Sequence, residues 1–305
     1  MRAHVDRPAD VSGVRITHPD RVMYPETGIS KVDLARYYER IADWMVPHVN
    51  GRPLTLVRCP TGLAAGCFYM KHSKVWAPPA LHRVDIQEKT KVGEYLVADS
   101  GPALVSLVQM DVLEIHTWNS RISSVEQPDR LVLDIDPGPE ITWPEIIGAA
   151  RLVRRVLETV GLDSFVKTTG GRGLHVVVPL QPRADWSECL ALSRGIAETI
   201  VAHDPERYTT RFAKAGRERK ILIDYLRNNR TNTSVAAFST RAKPHAPVSM
   251  PLSWTLLTPR VTPDAFTVKT VPARLARLRR DPWADYWTCR QRVTRAMTKA
   301  FPVTV

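Results

Sequence analysis

The sequence predicts a mixed fold, α+β or α/β, on three observations. Short apolar runs that stop at glycine or proline read as strands, as at Leu131–Pro137, Leu174–Leu180 and Lys220–Leu226. Segments with apolar residues at helical spacing begin at capping residues, as at Thr142 and Asp185. The two kinds of element interleave along the chain, with no internal repeat and no low-complexity tract between them. The 305 residues suffice for one large core or two modest ones. No Pro/Gly/Ser-rich linker stands out, so the expectation is one catalytic unit. It has a tail over residues 1–13, a body over 14–290 and a second tail over 291–305. Within the body, an N-terminal layer (14–110) is expected to pack on a core (111–290).

Taken in order, His18-Pro-Asp-Arg-Val-Met-Tyr-Pro is a turn-rich entry. Ser30 then caps a helix that has Asp33 in its first turn. Leu34, Tyr37, Tyr38, Ile41 and Met45 fall on one face of that helix. Leu54–Arg58 reads as a strand, and a glycine turn joins it as a hairpin to Cys67–His72. Pro78 and Pro79 mark a loop, Val92–Ala98 a short strand or turn, and Gly101–Val108 a short helix. Leu113–Trp118 reads as a strand that exposes His116. Thr142-Trp-Pro-Glu145 is a capping box with proline in the first turn, and Gly161 ends the helix that follows. Phe165–Thr168 and Leu174–Leu180 are strands around Thr169-Gly-Gly-Arg-Gly173. Asp185 and Glu188 open a helix to about Ala202, and Lys220–Leu226 is a further strand. A proline-rich connection, Pro244–Pro263, precedes a basic helix near Ala273–Arg280 and a polar tail.

Composition narrows the function classes. The net charge is +12 and the pI about 9.8, and between Arg207 and Lys243 ten lysines and arginines face two acids. That local excess favours a phosphate-bearing partner. No apolar run reaches the length of a membrane span, and Met1–Asp10 lacks the apolar core of a signal peptide, so a cytosolic protein is expected. The four cysteines contain no Cys-x-x-Cys pair, so free thiols are expected rather than disulfides or a zinc knuckle.

The chemistry centres on Leu-Val-Leu-Asp134-Ile-Asp136-Pro. Alternate residues of a strand share a face, so Asp134 and Asp136 project together. Two like charges about 5 Å apart repel by roughly 3 kcal/mol at an effective dielectric of about 20, which a divalent cation would offset. Asp224 is a carboxylate inside another apolar strand, costly unless paired or metal-bound. Alone it is as readily a strand-edge partner for a nearby arginine. With Asp134 and Asp136 it completes an oxygen set for two cations about 3.5–4 Å apart. The loop Thr168-Thr-Gly-Gly-Arg-Gly-Leu-His175 offers backbone N–H groups, the Thr169 hydroxyl, the Arg172 guanidinium and the His175 ring to an anion. It is not a Walker A loop, and in isolation it reads as a glycine-rich hairpin. Phe68 and Tyr69, beside Lys71 and His72, suit base stacking or core packing equally.

These motifs, in this order, resemble the polymerase domain of bacterial ligase D, within the archaeo-eukaryotic primase superfamily. The likeness runs from about Val14 to Trp287. It implies a primase-like mixed sheet flanked by helices, an α+β fold without the zinc element of some primases. It implies that Asp134, Asp136 and Asp224 are the catalytic, metal-binding carboxylates. It also implies that His116, Thr169, Gly170, Arg172, His175, Arg217 and Arg241 hold the incoming nucleotide. Arg21, Lys31 and His18 match positions that recognise a 5′-phosphate on DNA, and Phe68 and Tyr69 an aromatic pair that orients the template. The family often has a second Phe at Tyr69, Ser at Thr169 and Lys at Arg21. The implied activity is template-dependent nucleotidyl transfer to a primer 3′-hydroxyl, with two divalent ions, manganese before magnesium, and with NTPs or dNTPs. The implied setting is gap filling in non-homologous end joining, on gapped or 3′-overhang DNA. Ku and an ATP-dependent DNA ligase are implied partners, and the bacterial cytoplasm, at the nucleoid, is the implied location. The rival expectations are an inert DNA-end-binding synapsis module and a two-metal nuclease.

Overall fold

The structure, a computed structural model, describes residues 7–73, 76–213 and 215–302. The chain forms two compact units. The first comprises residues 1–117, 235–249 and 266–278, and the second 118–234, 250–265 and 279–305. The return of two later segments to the first unit has no local signal in the sequence.

The second unit is built on a six-stranded sheet. Its order is Tyr208–Thr209, Ile221–Asp224, Arg130–Pro137, Leu174–Pro179, Phe165–Thr168 and Pro251–Leu252. Neighbours are antiparallel except Tyr208–Thr209, which runs parallel to Ile221–Asp224. Leu131, Val132, Leu133 and Ile135 of the central strand are all buried. Such a near-continuous apolar run is what a strand covered on both faces requires. Helix Trp143–Glu158 starts at the expected capping box, its Glu145 carboxylate accepting from the Thr142 N–H at 2.8 Å. Helix Trp186–His203 starts likewise at Asp185, whose carboxylate accepts from the Glu188 N–H at 2.8 Å. Trp283 and Tyr286 stack and pack on Val132 and Val177, and the Trp283 indole donates to Val166 O at 3.0 Å.

The first unit carries a four-stranded sheet in the order Ser234–Val235, Val112–Thr117, Leu54–Arg58, Phe68–Met70. The edge strand Ser234–Val235 is where the chain re-enters the unit. Helix Lys31–Arg40 has the expected Ser30 cap. Three tyrosine hydroxyls hold the returning segment. Tyr37 donates to Phe238 O at 2.8 Å, Tyr24 donates to Arg241 O at 3.0 Å, and Tyr38 bonds Thr240 Oγ1 at 2.9 Å. These bonds also satisfy phenols that burial would otherwise strand.

Several expectations need correction. Cys59 and Cys67 form a disulfide, whereas free thiols were expected for all four cysteines; Cys189 and Cys289 are free. The turn between the two strands, with Gly62 and Gly66 both at positive φ, brings the hairpin ends together. The helix expected through Met45 breaks at Ile41, and Ala42–Val49 continues as a second helix; Ile41 and Met45 stay buried, so the apolar face survives the break. Residues His82–Gln87 form a strand paired with Val92–Val97 that the charged alternation concealed. The basic C-terminal helix is Val271–Leu275, and the polar tail contains a further helix, Arg295–Ala300, capped by Thr294. That helix is anchored by Phe301, which is buried and packs so closely on Gly195 that a Cβ there would collide with the Phe301 carbonyl.

Candidate active site

Strand register assembles the acidic residues. Asp134 lies directly opposite Asp224 on one side and His175 on the other. His175 lies opposite Lys167 in turn. Directly opposed residues of antiparallel strands share a face. Asp224, Asp134, His175 and Lys167 therefore form one row across four strands. Asp136, two residues past Asp134, is on the same face. Exposure rises along that face, from Val132 at 1% to Asp134 at 8% to a half-exposed Asp136 side chain, so the row opens at the strand end.

Beyond Asp224 the chain turns through Leu226–Asn228. The Leu226 N–H donates to Asp224 Oδ1 at 2.8 Å, and the Asn228 amide takes both backbone bonds of Val132, at 2.7 and 2.8 Å. This clamp returns Arg227 over the row, where it pairs with Asp224 and Asp134 at 3.1 Å each. Arg217 pairs with Asp136 at 2.8 Å. His175 Nε2 lies 3.4 Å from Asp134 Oδ1.

The charges sort themselves by these neighbours. Burial pushes the Asp134 carboxyl up, but the adjacent His175, then Arg227 and Lys167, more than offset it and hold it well below the usual range. Burial and the nearby Lys167 charge push His175 down to about 3. Burial, resisted by Arg227 and reinforced by the Asp134 and Asp136 charges, raises Asp224 to about 6.

The glycine loop is a tight hairpin. Thr169 closes it, donating from N and Oγ1 to Gly173 O at 3.2 and 3.1 Å, and Gly170 turns at φ +67°. Gly173 lies against the Ile135 carbonyl, where a Cβ would collide. Arg172 reaches back to Pro139 O at 3.0 Å and Ile141 O at 2.9 Å. Arg172, Arg217 and Asp136 line a cleft of about 440 Å³. That size suits a small ligand, and its two guanidiniums suit a polyphosphate.

The remaining candidates belong to the first unit. His116 is buried rather than exposed as expected, because its strand lies inside the sheet. Its Nε2 lies 2.7 Å from Glu114, which also pairs with Arg241 at 3.0 Å. Glu114 thus ties two predicted nucleotide contacts together; burial pushes its carboxyl up, and His116 and Arg241 pull it down to about 2. Phe68 and Tyr69 are both exposed, at 47% and 72%. His18, Arg21 and Lys31 are drawn together by backbone bonds, Arg21 N–H to His18 O at 3.1 Å and Lys31 N–H to Arg21 O at 2.8 Å. Arg21, Lys31 and Arg58 converge on Asp111, at 3.2, 2.7 and 4.0 Å.

This constellation has counterparts in known proteins. The family described as "LigD, primase-polymerase domain" matches residues 30–283. The chain belongs to that family. Among curated relatives, the multifunctional non-homologous end joining protein LigD of Pseudomonas aeruginosa is 37% identical over 95% of this chain and 35% of its own length. The LigD protein of Mycolicibacterium smegmatis is 33% identical over 79% of the chain and 32% of its own length. The chain thus spans about a third of these relatives. The solved polymerase domain of Mycobacterium tuberculosis ligase D, in complex with DNA, superposes with a TM-score of 0.81 at 31% identity, covering 87% of this chain and 94% of that one. The α+β, primase-like fold expected from the sequence is therefore the fold observed.

For a LigD primase-polymerase domain the question is whether the row fits divalent cations. The donors are oxygen ligands of the type hard cations take, on adjacent strands of one face. Among the described residues no three His, Cys, Asp or Glu side chains are gathered into a ready cluster. Asp134, Asp136 and Asp224 instead face Arg227 and Arg217, so the positions and chemistry fit while the oxygens are engaged by guanidiniums. Sequence reading missed Arg227, Lys167, Glu114 and Asp111. Lys167 carried a usable signal, since a lone charge in Phe-Val-Lys-Thr poses the same question as Asp224 in its strand. Arg227 and Asp111 act through geometry that only the fold supplies.

Proposed function

We propose that this LigD-family chain is a template-dependent nucleotidyltransferase, one catalytic domain over residues 14–290, that extends a primer 3′-hydroxyl with NTPs or dNTPs. The observation that carries this is the direct opposition of Asp134 and Asp224, with Asp136 on the same face. These three carboxylates would hold two divalent cations, manganese in preference to magnesium, which would supply Lewis-acid chemistry at the attacking oxygen and the triphosphate. The 3′-hydroxyl loses its proton to solvent, its oxygen forms a bond to the α-phosphorus as that atom's bond to the bridging oxygen breaks, and pyrophosphate leaves. Thr169, Gly170, Arg172 and His175 orient the triphosphate, and Arg217 balances its charge from across the cleft. His116 and Arg241 add nucleotide contacts. Phe68 and Tyr69 stack on the template, and Arg21, Lys31 and His18 take the downstream 5′-phosphate.

The named relatives are end-joining proteins, and the matched M. tuberculosis domain was solved with DNA. We place this chain in the same work: filling gaps at 5′-phosphorylated DNA ends beside Ku and an ATP-dependent ligase, in the bacterial cytoplasm at the nucleoid. Primer extension on a gapped duplex with Mn²⁺ or Mg²⁺ tests the reading. Wild type extends the primer and Asp134→Ala or Asp224→Ala does not; extension by either variant at the wild-type rate overturns the assignment.

A further inference from the structure

Lys167 is the residue of the row that the proposed mechanism leaves unused. It is 3% exposed, on the strand next to His175, and directly opposite it. Its side chain therefore faces the same way as His175, Asp134 and Asp224. One strand spacing of about 4.8 Å separates it from His175 and two from Asp134. Its charge acts on both, depressing the pKa of each. A buried ammonium is costly unless a negative group answers it. Lys167 and Asp134 are both buried on this face, and the ammonium's charge favours the ionised carboxylate. Arg227, 40% exposed at its side chain, can leave the carboxylates for solvent; Lys167, fixed in the sheet, cannot.

We infer that Lys167 is a resident countercharge of the acidic row: a positioning residue that sustains the buried carboxylates and, by the same charge, limits how tightly they take divalent cations. The inference rests on the nucleotidyltransferase reading of that row and adds a determinant of its cation affinity. It makes two effects of opposite sign. Loss of the charge weakens the metal-free protein, because Asp134 loses a neighbouring cation. It also strengthens cation binding, because repulsion between the ammonium and the incoming ion disappears. At about 10 Å and an effective dielectric of about 20, that repulsion between a single and a double charge corresponds to roughly a hundredfold difference in affinity or more.

The test compares wild type, Lys167→Met, Lys167→Gln and Lys167→Arg in the full chain. Thermal unfolding is followed in EDTA and in Mn²⁺, and Mn²⁺ binding is measured by calorimetry without nucleotide or DNA. The neutral variants are expected to melt several degrees lower in EDTA and to bind Mn²⁺ about a hundredfold more tightly. Added Mn²⁺ then raises their melting temperature more than it raises that of wild type. Lys167→Arg stays near wild type on both readouts. A purely structural lysine would lower stability and leave or weaken Mn²⁺ binding, and that result in the neutral variants overturns the inference while wild-type binding stands. Failure of wild type itself to bind Mn²⁺ overturns the inference together with the reading beneath it.

Discussion

The acidic row of the second unit and the basic corner of the first are the same device with the signs exchanged. In the row, Asp134, Asp136 and Asp224 are answered by Arg227, Arg217 and Lys167. In the corner, Arg21, Lys31 and Arg58 share one acid, Asp111. The corner keeps surplus positive charge beside the partly exposed Arg21, which suits a phosphate. The row is balanced on paper, but the Arg227 guanidinium, 40% exposed at its side chain, can leave for solvent, so the row can exchange it for an ion. The lesson is that a site's ligand follows from which charges are locked in the fold and which can move away.

Removing a locked acid from the row should have the largest effect. Asp134→Asn keeps the shape and deletes the charge, and primer extension is expected to fall about a thousandfold, some 4 kcal/mol of transition-state stabilisation. Steady-state incorporation with Mn²⁺ checks this. In the corner, Asp111→Ala leaves the buried Lys31 ammonium without its carboxylate. It also places alanine at φ +62°, so stability should drop by about 3–5 kcal/mol in denaturant unfolding. Asp111→Asn tolerates that backbone better and should lose less, while binding a 5′-phosphorylated end severalfold more tightly.

A pH series sharpens the comparison. Asp224 is raised to about 6 from an ordinary value of 3.8. A group raised on folding stabilises the protein fully below its unfolded pKa, and that contribution is lost as pH rises through the folded one. In EDTA, wild-type stability should therefore fall between about pH 4 and pH 7, by up to about 2–3 kcal/mol, and Asp224→Asn should flatten that slope. Melting curves across the pH range decide it. The smallest effect is expected at the corner's rim. Arg21→Ala should reduce the preference for a 5′-phosphate over a 5′-hydroxyl about tenfold and lower the salt slope of DNA binding by about one, with extension on unphosphorylated DNA unchanged.

Local features were legible in the sequence because their causes are local. The Ser30, Thr142 and Asp185 caps, the central Leu131–Pro137 strand and the glycine hairpin all follow from nearby residues. The pairing of Asp134 with Asp224 is a matter of register between strands some ninety residues apart in sequence, and no local pattern encodes it. The same holds for Cys59 with Cys67, where hairpin register decides the bond, and for Glu114, whose two partners come from its own strand and from a segment over a hundred residues later. The strand Pro251–Leu252 was hidden because proline-rich sequence reads as a break, yet an edge position tolerates a missing donor. His116 was misjudged as exposed because alternation in one strand does not reveal that strands lie on both sides of it.

The central claim is that carboxylates from two distant stretches of chain jointly hold divalent ions. Crystals soaked in Mn²⁺ and measured at the manganese edge test it most directly. The account predicts an anomalous peak within coordination distance of Asp134, Asp136 and Asp224, lost in Asp134→Asn. Anomalous signal elsewhere on the surface, with those three oxygen sets still held by Arg227 and Arg217, would contradict it.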